Sequence, residues 1–216
     1  MKKIKMLYDV AKTMKNMEKL DGVATIEVRK DQETIFSLKN AFEKNETGRV
    51  KANVTSKMNV SGEDLSRQST TEFTLTGNRG PCTMFKKLHT HHHAADSHCG
   101  IRGVFQRIST VLGILGSLQV DEKGNGAVEI SLDLKDIPEE IKTHLHEKML
   151  QKHARHHDIC CMQDCRDMEL SHGQVVISVN EQDAIDRITV NLDGTTQDEK
   201  SNNHRVTATA NVQFAW

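Results

Sequence analysis

Two runs of this chain concentrate side chains of the types that bind transition metals. The first, His89-Thr-His91-His92-His93-Ala-Ala-Asp96-Ser-His98-Cys99, places imidazoles, one carboxylate and one thiol within eleven residues. The second begins at His144-Leu-His146 and continues through His153, His156, His157, Cys160, Cys161, Asp164 and Cys165. Together the two runs hold ten of the chain's 12 histidines and four of its 5 cysteines. Neutral imidazole nitrogen and thiolate sulfur suit zinc, nickel or copper, whereas magnesium and calcium require oxygen donors.

If the second run is helical, His153, His157, Cys161 and Cys165 recur every four residues, about 6 Å apart and drifting about 40° per step. Adjacent pairs on that stripe can share an ion. All four cannot, because the first and last stand about 18 Å apart along the axis. The spacing therefore predicts that His153 with His157, or Cys161 with Cys165, supplies half of a tetrahedral site and that the first run supplies the rest. The candidate ligands are His89, His91, His93, Asp96, His98, Cys99, His153, His156, His157, Cys160, Cys161 and Cys165. Zinc is the leading ion, with nickel and copper compatible. A blander reading leaves the first run a solvated loop, the later histidines a polar helix face and the cysteines small buried apolar groups.

Other chemistry finds less footing. No Cys-x2-Cys pair occurs, so zinc ribbons and fingers are unsupported, and Cys-x-x-Cys-His for covalent haem is missing. Gly124-Asn-Gly126 lacks the lysine or third glycine of a phosphate-binding loop, and no Gly-x-Ser-x-Gly elbow is present. With 29 basic against 30 acidic residues and a net charge of -1, nothing favours nucleic acid or anionic lipid as the main partner.

The segment His91-x-His93-x-x-Asp96-x-His98 resembles the His-x-His-x-Asp-His motif of the metallo-β-lactamase family, whose members hydrolyse substrates at one or two zinc ions. Ala95 and Ser97 lengthen the spacing relative to that motif, and the chain lacks the repeated strand–helix alternation of the family. The resemblance implies a zinc-dependent hydrolase as the second reading. The layout of a long antiparallel sheet with helices is also similar to the half-barrel of bacterial lipoprotein carriers, which bind acyl chains. That likeness implies a module for an apolar small molecule or a partner protein.

The elements that must position these residues follow from periodicity. Ile4, Leu7, Val10, Ala11, Met14 and Met17 recur at helical spacing over residues 2–18. Ala24, Ile26 and Val28, then Phe36 and Leu38, alternate on either side of Lys30-Asp31-Gln32 and predict a hairpin. Val50, Ala52 and Val54, followed after Ser61-Gly62 by Thr71 and Phe73, predict a longer one. Ile101 to Leu118 has helical spacing, Val128 to Leu134 alternates, and Asp136-Ile-Pro138-Glu139 carries the marks of a helix start. Alternation returns at Val175–Val179, Ile188–Leu192 and Val206–Phe214.

The expected fold is α+β: an antiparallel, curved sheet of about seven to eight strands covered by about three to four helices, with a helix-plus-hairpins unit used twice. One domain spans 1–216, with a His/Cys-rich helical insertion at 82–166. Only 4% of residues are aromatic, so aliphatic and methionine packing must fill the core.

The basic N-terminal run is broken by Asp9 before an export segment could form, and no apolar stretch reaches the roughly 18 residues of a membrane helix. A cytosolic protein is expected, its odd number of cysteines held as thiols. The expected function is transition-metal sequestration, delivery or sensing, with binding favoured over catalysis. A ligand set incomplete in one chain could be completed across a two-fold axis, which is a reason to expect a homodimer.

Overall fold

The structure, a computed structural model, describes residues 2–60, 63–74, 112–123, 126–139, 142–143, 169–197 and 201–215. Helix α1 (Lys2–Asn16) leads into four consecutive antiparallel strands, β1 (Leu20–Lys30), β2 (Glu33–Lys44), β3 (Arg49–Val60) and β4 (Glu63–Thr74). Five more follow: β5 (Gln119–Glu122), β6 (Val128–Asp133), β7 (Glu169–Val179), β8 (Ile185–Gln197) and β9 (Asn203–Ala215). All nine belong to one sheet in the order β4-β3-β2-β1-β9-β8-β7-β6-β5. The first and last strands thus pair at its centre, with Ile26 opposite Ala210. Edge strands β4 and β5 do not meet, so the sheet is open.

Strand alternation sorts the side chains onto two faces. One row across the sheet reads Val120, Ile130, Ile177, Ile188, Val212, Ala24, Asn40, Val54 and Ser69. It is apolar from β5 to β1 and turns polar toward β4. The neighbouring row on the opposite face reads Gln119, Ser131, Val176, Thr189, Asn211, Thr25, Lys39, Thr55 and Gln68. One face is therefore apolar and the other polar, as expected of an antiparallel sheet with one face to water.

Helix α1 crosses the apolar face on the β5–β8 half. Val10 is buried with Ile130 and Val179, and Met6, Leu7 and Met14 close around them. Lys3 Nζ donates to the Leu118 carbonyl at one end of the helix, and Lys44 Nζ donates to the Met17 carbonyl just past the other. Ile4 lies about 120° around the helix from the Met6–Val10–Met14 stripe and is exposed.

Two tight turns show how short polar side chains end the strands. The Asn45 carboxamide oxygen accepts from the backbone N–H groups of Thr47 (3.1 Å) and Arg49 (2.9 Å), and Gly48 takes φ +76°. Asn180 does the same for Gln182 and Ala184, both at 3.0 Å, beside Asp183 at φ +59°.

The expected architecture needs correction. The sheet has nine strands, not seven to eight, and it is not covered by three to four helices. Among the described residues, helical structure is confined to α1, residues 112–117, the 3-10 turn Leu134–Asp136, residue 139 and residues 142–143. The repeated helix-plus-hairpins unit gives way to two unequal meanders, β1–β4 and β5–β9, joined through β1 and β9. Strand β5 escaped detection because Gln119–Glu122 contains one apolar residue, too few to alternate. No described helix is long and apolar enough to cross a membrane.

Candidate functional site

The polar face of β9, β1, β2 and β3 forms a trough of about 720 Å³. Register, not sequence proximity, assembles it. Asn211, Thr25, Lys39 and Thr55 form one row, and Thr209, Glu27, Ser37 and Lys57 form the next. β-Branched threonine suits such positions, because its methyl packs on the pleated surface while its hydroxyl faces water.

Lys39 lies opposite Thr55, and Lys57 lies opposite Ser37, so the two lysines are diagonal neighbours across the β2–β3 pair. Such diagonals stand about 7–8 Å apart, within reach of long side chains. Among the described residues neither ammonium is in an ion pair. The other charges of the trough are matched to each other: Arg29 Nε donates to the Glu27 carboxylate, which also accepts from Thr34 Oγ1 at 3.4 Å. The trough thus offers two cationic donors and a surround of hydroxyl groups, with its single carboxylate already engaged.

At the far end of β1, Asp31 takes φ +55° and clamps the β1–β2 turn to β9. Its backbone N–H donates to the Arg205 carbonyl at 2.7 Å, and its carboxylate accepts from the Arg205 backbone N–H at 3.0 Å. His204 Nδ1 donates to the same carboxylate at 2.9 Å. The hydrogen bond from His204, followed by that from the Arg205 N–H, holds the Asp31 carboxyl below its ordinary value. This arrangement fastens the β1–β2 turn to β9.

The metal-site residues expected from the sequence, His89, His91, His93, Asp96, His98, Cys99, His153, His156, His157, Cys160, Cys161 and Cys165, all lie outside the described residues. So does the segment resembling the metallo-β-lactamase motif. His172 and His204 are the described histidines, and they sit on different strands, β7 and β9. Among the described residues no group of three or more His, Cys, Asp or Glu side chains could hold a metal ion. The expected function of metal sequestration, delivery or sensing, with zinc hydrolysis as an alternative, is corrected for the described residues, which form no such group.

No family model matches the chain, and no curated protein matches it. Among solved structures it is similar to the Mycobacterium tuberculosis protein Rv2717c, at 7% identity and TM-score 0.24, with 96% of this chain and 98% of that chain covered. The dehydratase domain from the CurK module of curacin polyketide synthase aligns at 12% identity and TM-score 0.18, covering 95% and 79% of the two chains. A tesB protein of Mycobacterium avium subspecies paratuberculosis aligns at 7% identity and TM-score 0.18, covering 99% and 86%. Scores this low carry no argument about the fold or activity of this chain.

Proposed function

We propose that this protein binds a small anionic ligand, a phosphate or a carboxylate, in the trough on the polar face of β9-β1-β2-β3. The observation that supports the reading is the diagonal pair Lys39 and Lys57, outside any ion pair among the described residues and set among Thr25, Ser37, Thr55 and Thr209. Two like charges at this spacing repel weakly in water. An anion between them replaces that repulsion with two charge-assisted hydrogen bonds, and the hydroxyls of Ser37, Thr55 and Thr209 can donate to its remaining oxygens, the Thr25 hydroxyl already donating to the Asn211 carbonyl. The trough is open to solvent, so binding weakens with salt over a Debye length of about 8 Å at physiological ionic strength.

A reducing cytosolic setting belongs to the same reading; the odd cysteine count supports it. The test is a calorimetric titration with inorganic phosphate, with citrate, and with uncharged glucose. Saturable binding of phosphate or citrate but not glucose is expected, weakened at least about tenfold, or about 1.4 kcal/mol, in the Lys39→Glu/Lys57→Glu variant. Equal binding by the variant, or no preference for the charged probes, refutes the assignment.

A further inference from the structure

Strand β4 is one edge of the sheet, twelve residues long, and exposed along its whole length on both faces. It has neither proline nor glycine, and its pairing with β3 runs without a bulge, so its charged residues Glu63, Asp64, Arg67 and Glu72 are what blunts it against pairing. The other edge, β5, is only four residues long. β4 also carries two of the large exposed apolar side chains, Leu65 (55% exposed) and Phe73 (47%). Both lie on the apolar face, and Ser69 is midway between them.

We infer that β4 pairs antiparallel with β4 of a second copy of this chain about a two-fold axis through Ser69, joining two sheets into one continuous sheet. The selection of this occupant comes from the symmetry of the strand itself. A two-fold axis normal to the sheet keeps each face on its own side, so residues paired across it must have the same parity. With Ser69 opposite itself, Leu65 faces Phe73 of the second copy, and Phe73 faces its Leu65. Arg67 faces Thr71, and diagonally it reaches the ring of Phe73, a cation–π geometry. No like charges oppose one another. Moving the axis to Gln68 sets Asp64 against Glu72 twice and leaves Phe73 opposite Glu63. Moving it to Thr70 sets Phe73 opposite Arg67 and carries Leu65 past the end of the described strand. The Ser69 register is therefore the one that sets both apolar pairs face to face within the strand with no like charges directly opposite, Asp64 and Glu72 of the two copies standing diagonally.

The full-length chain should sediment as a concentration-dependent dimer. Leu65→Lys/Phe73→Lys places two ammonium groups opposite each other in this register and should associate at least tenfold more weakly than the wild type. Leu65→Lys/Phe73→Glu removes the same apolar groups but opposes unlike charges, and should associate at least tenfold more tightly than the first variant. Both positions are exposed, and circular dichroism verifies that the sheet is retained. A second measurement does not depend on either variant: Ser69→Cys should oxidise to a dimer cross-linked through the two introduced thiols, since paired Cα atoms about 4.5–5.5 Å apart satisfy disulfide geometry. A wild type monomeric at every concentration, equal association of the two charge variants, or absence of the cross-link between the introduced thiols would overturn the inference.

Discussion

Replacing Gly22 by alanine tests a close approach of three central strands. A Cβ at Gly22 would stand 2.6 Å from Phe42 Cζ and 2.7 Å from the Gln213 carbonyl oxygen. Gly22 is opposite Phe42 on β2 and Phe214 on β9, and the two rings meet edge-to-face across it with centroids 6.0 Å apart. The Phe42 ring can swing away, at the loss of an edge contact of about 0.5–1.5 kcal/mol. The Gln213 carbonyl cannot, because it belongs to the central β1–β9 ladder; overpacking of this kind costs about 1–3 kcal/mol. Alanine returns about 0.4–1 kcal/mol by restricting the unfolded chain. The net expectation for Gly22→Ala is a loss of about 2 kcal/mol, or about 4–8 °C in Tm for a domain of this size. Urea unfolding should show a lower midpoint at unchanged slope. In a Phe42→Leu background the loss should shrink by about 1 kcal/mol, the part due to the ring. Gly116 is the control: nothing lies within 4 Å of a Cβ there, and alanine in this helical segment should raise stability by up to about 1 kcal/mol. A Gly22→Ala protein as stable as the wild type within about 0.5 kcal/mol, or a loss independent of Phe42, refutes the packing argument.

Two further outcomes follow from single groups. Thr196 is 2% exposed and its Oγ1 has no hydrogen-bond partner among the described residues, so Thr196→Val, which keeps the shape, should stabilise by about 1–2 kcal/mol in urea unfolding; a clear loss would mean the hydroxyl is satisfied. Asp31 has its folded pKa depressed, so its contribution to stability is present above the unfolded value of about 3.9 and is lost as pH falls through the folded value. Asp31→Asn, which tolerates the left-handed backbone, should therefore be less stable than wild type at pH 7, with the difference closing toward pH 3; a difference constant with pH contradicts the clamp.

Most strands were legible because their apolar residues alternate: Ala24, Ile26 and Val28, or Val175, Ile177 and Val179, can place themselves on one face only as extended chain. Sheet order was not legible, since nothing local in Leu20–Lys30 or Asn203–Ala215 states that the first strand must pair with the last. The trough was missed for the same reason. Thr25, Lys39, Thr55 and Thr209 read singly as the solvated half of an amphipathic strand, and only the register collects them. Histidine and cysteine counts drew attention elsewhere because composition is visible without a fold. The Gly22 contact had a signal, a glycine inside a strand pattern, which marks a close approach of neighbours.

The most direct test of the ligand assignment is an amide chemical-shift titration of the full chain with inorganic phosphate. Shifts that saturate and cluster on Thr25, Ser37, Lys39, Thr55, Lys57 and Thr209, and that vanish in the Lys39→Glu/Lys57→Glu variant, are the result expected of the trough. Shifts that never saturate, or that map to the apolar face and leave these six amides unmoved, would contradict it.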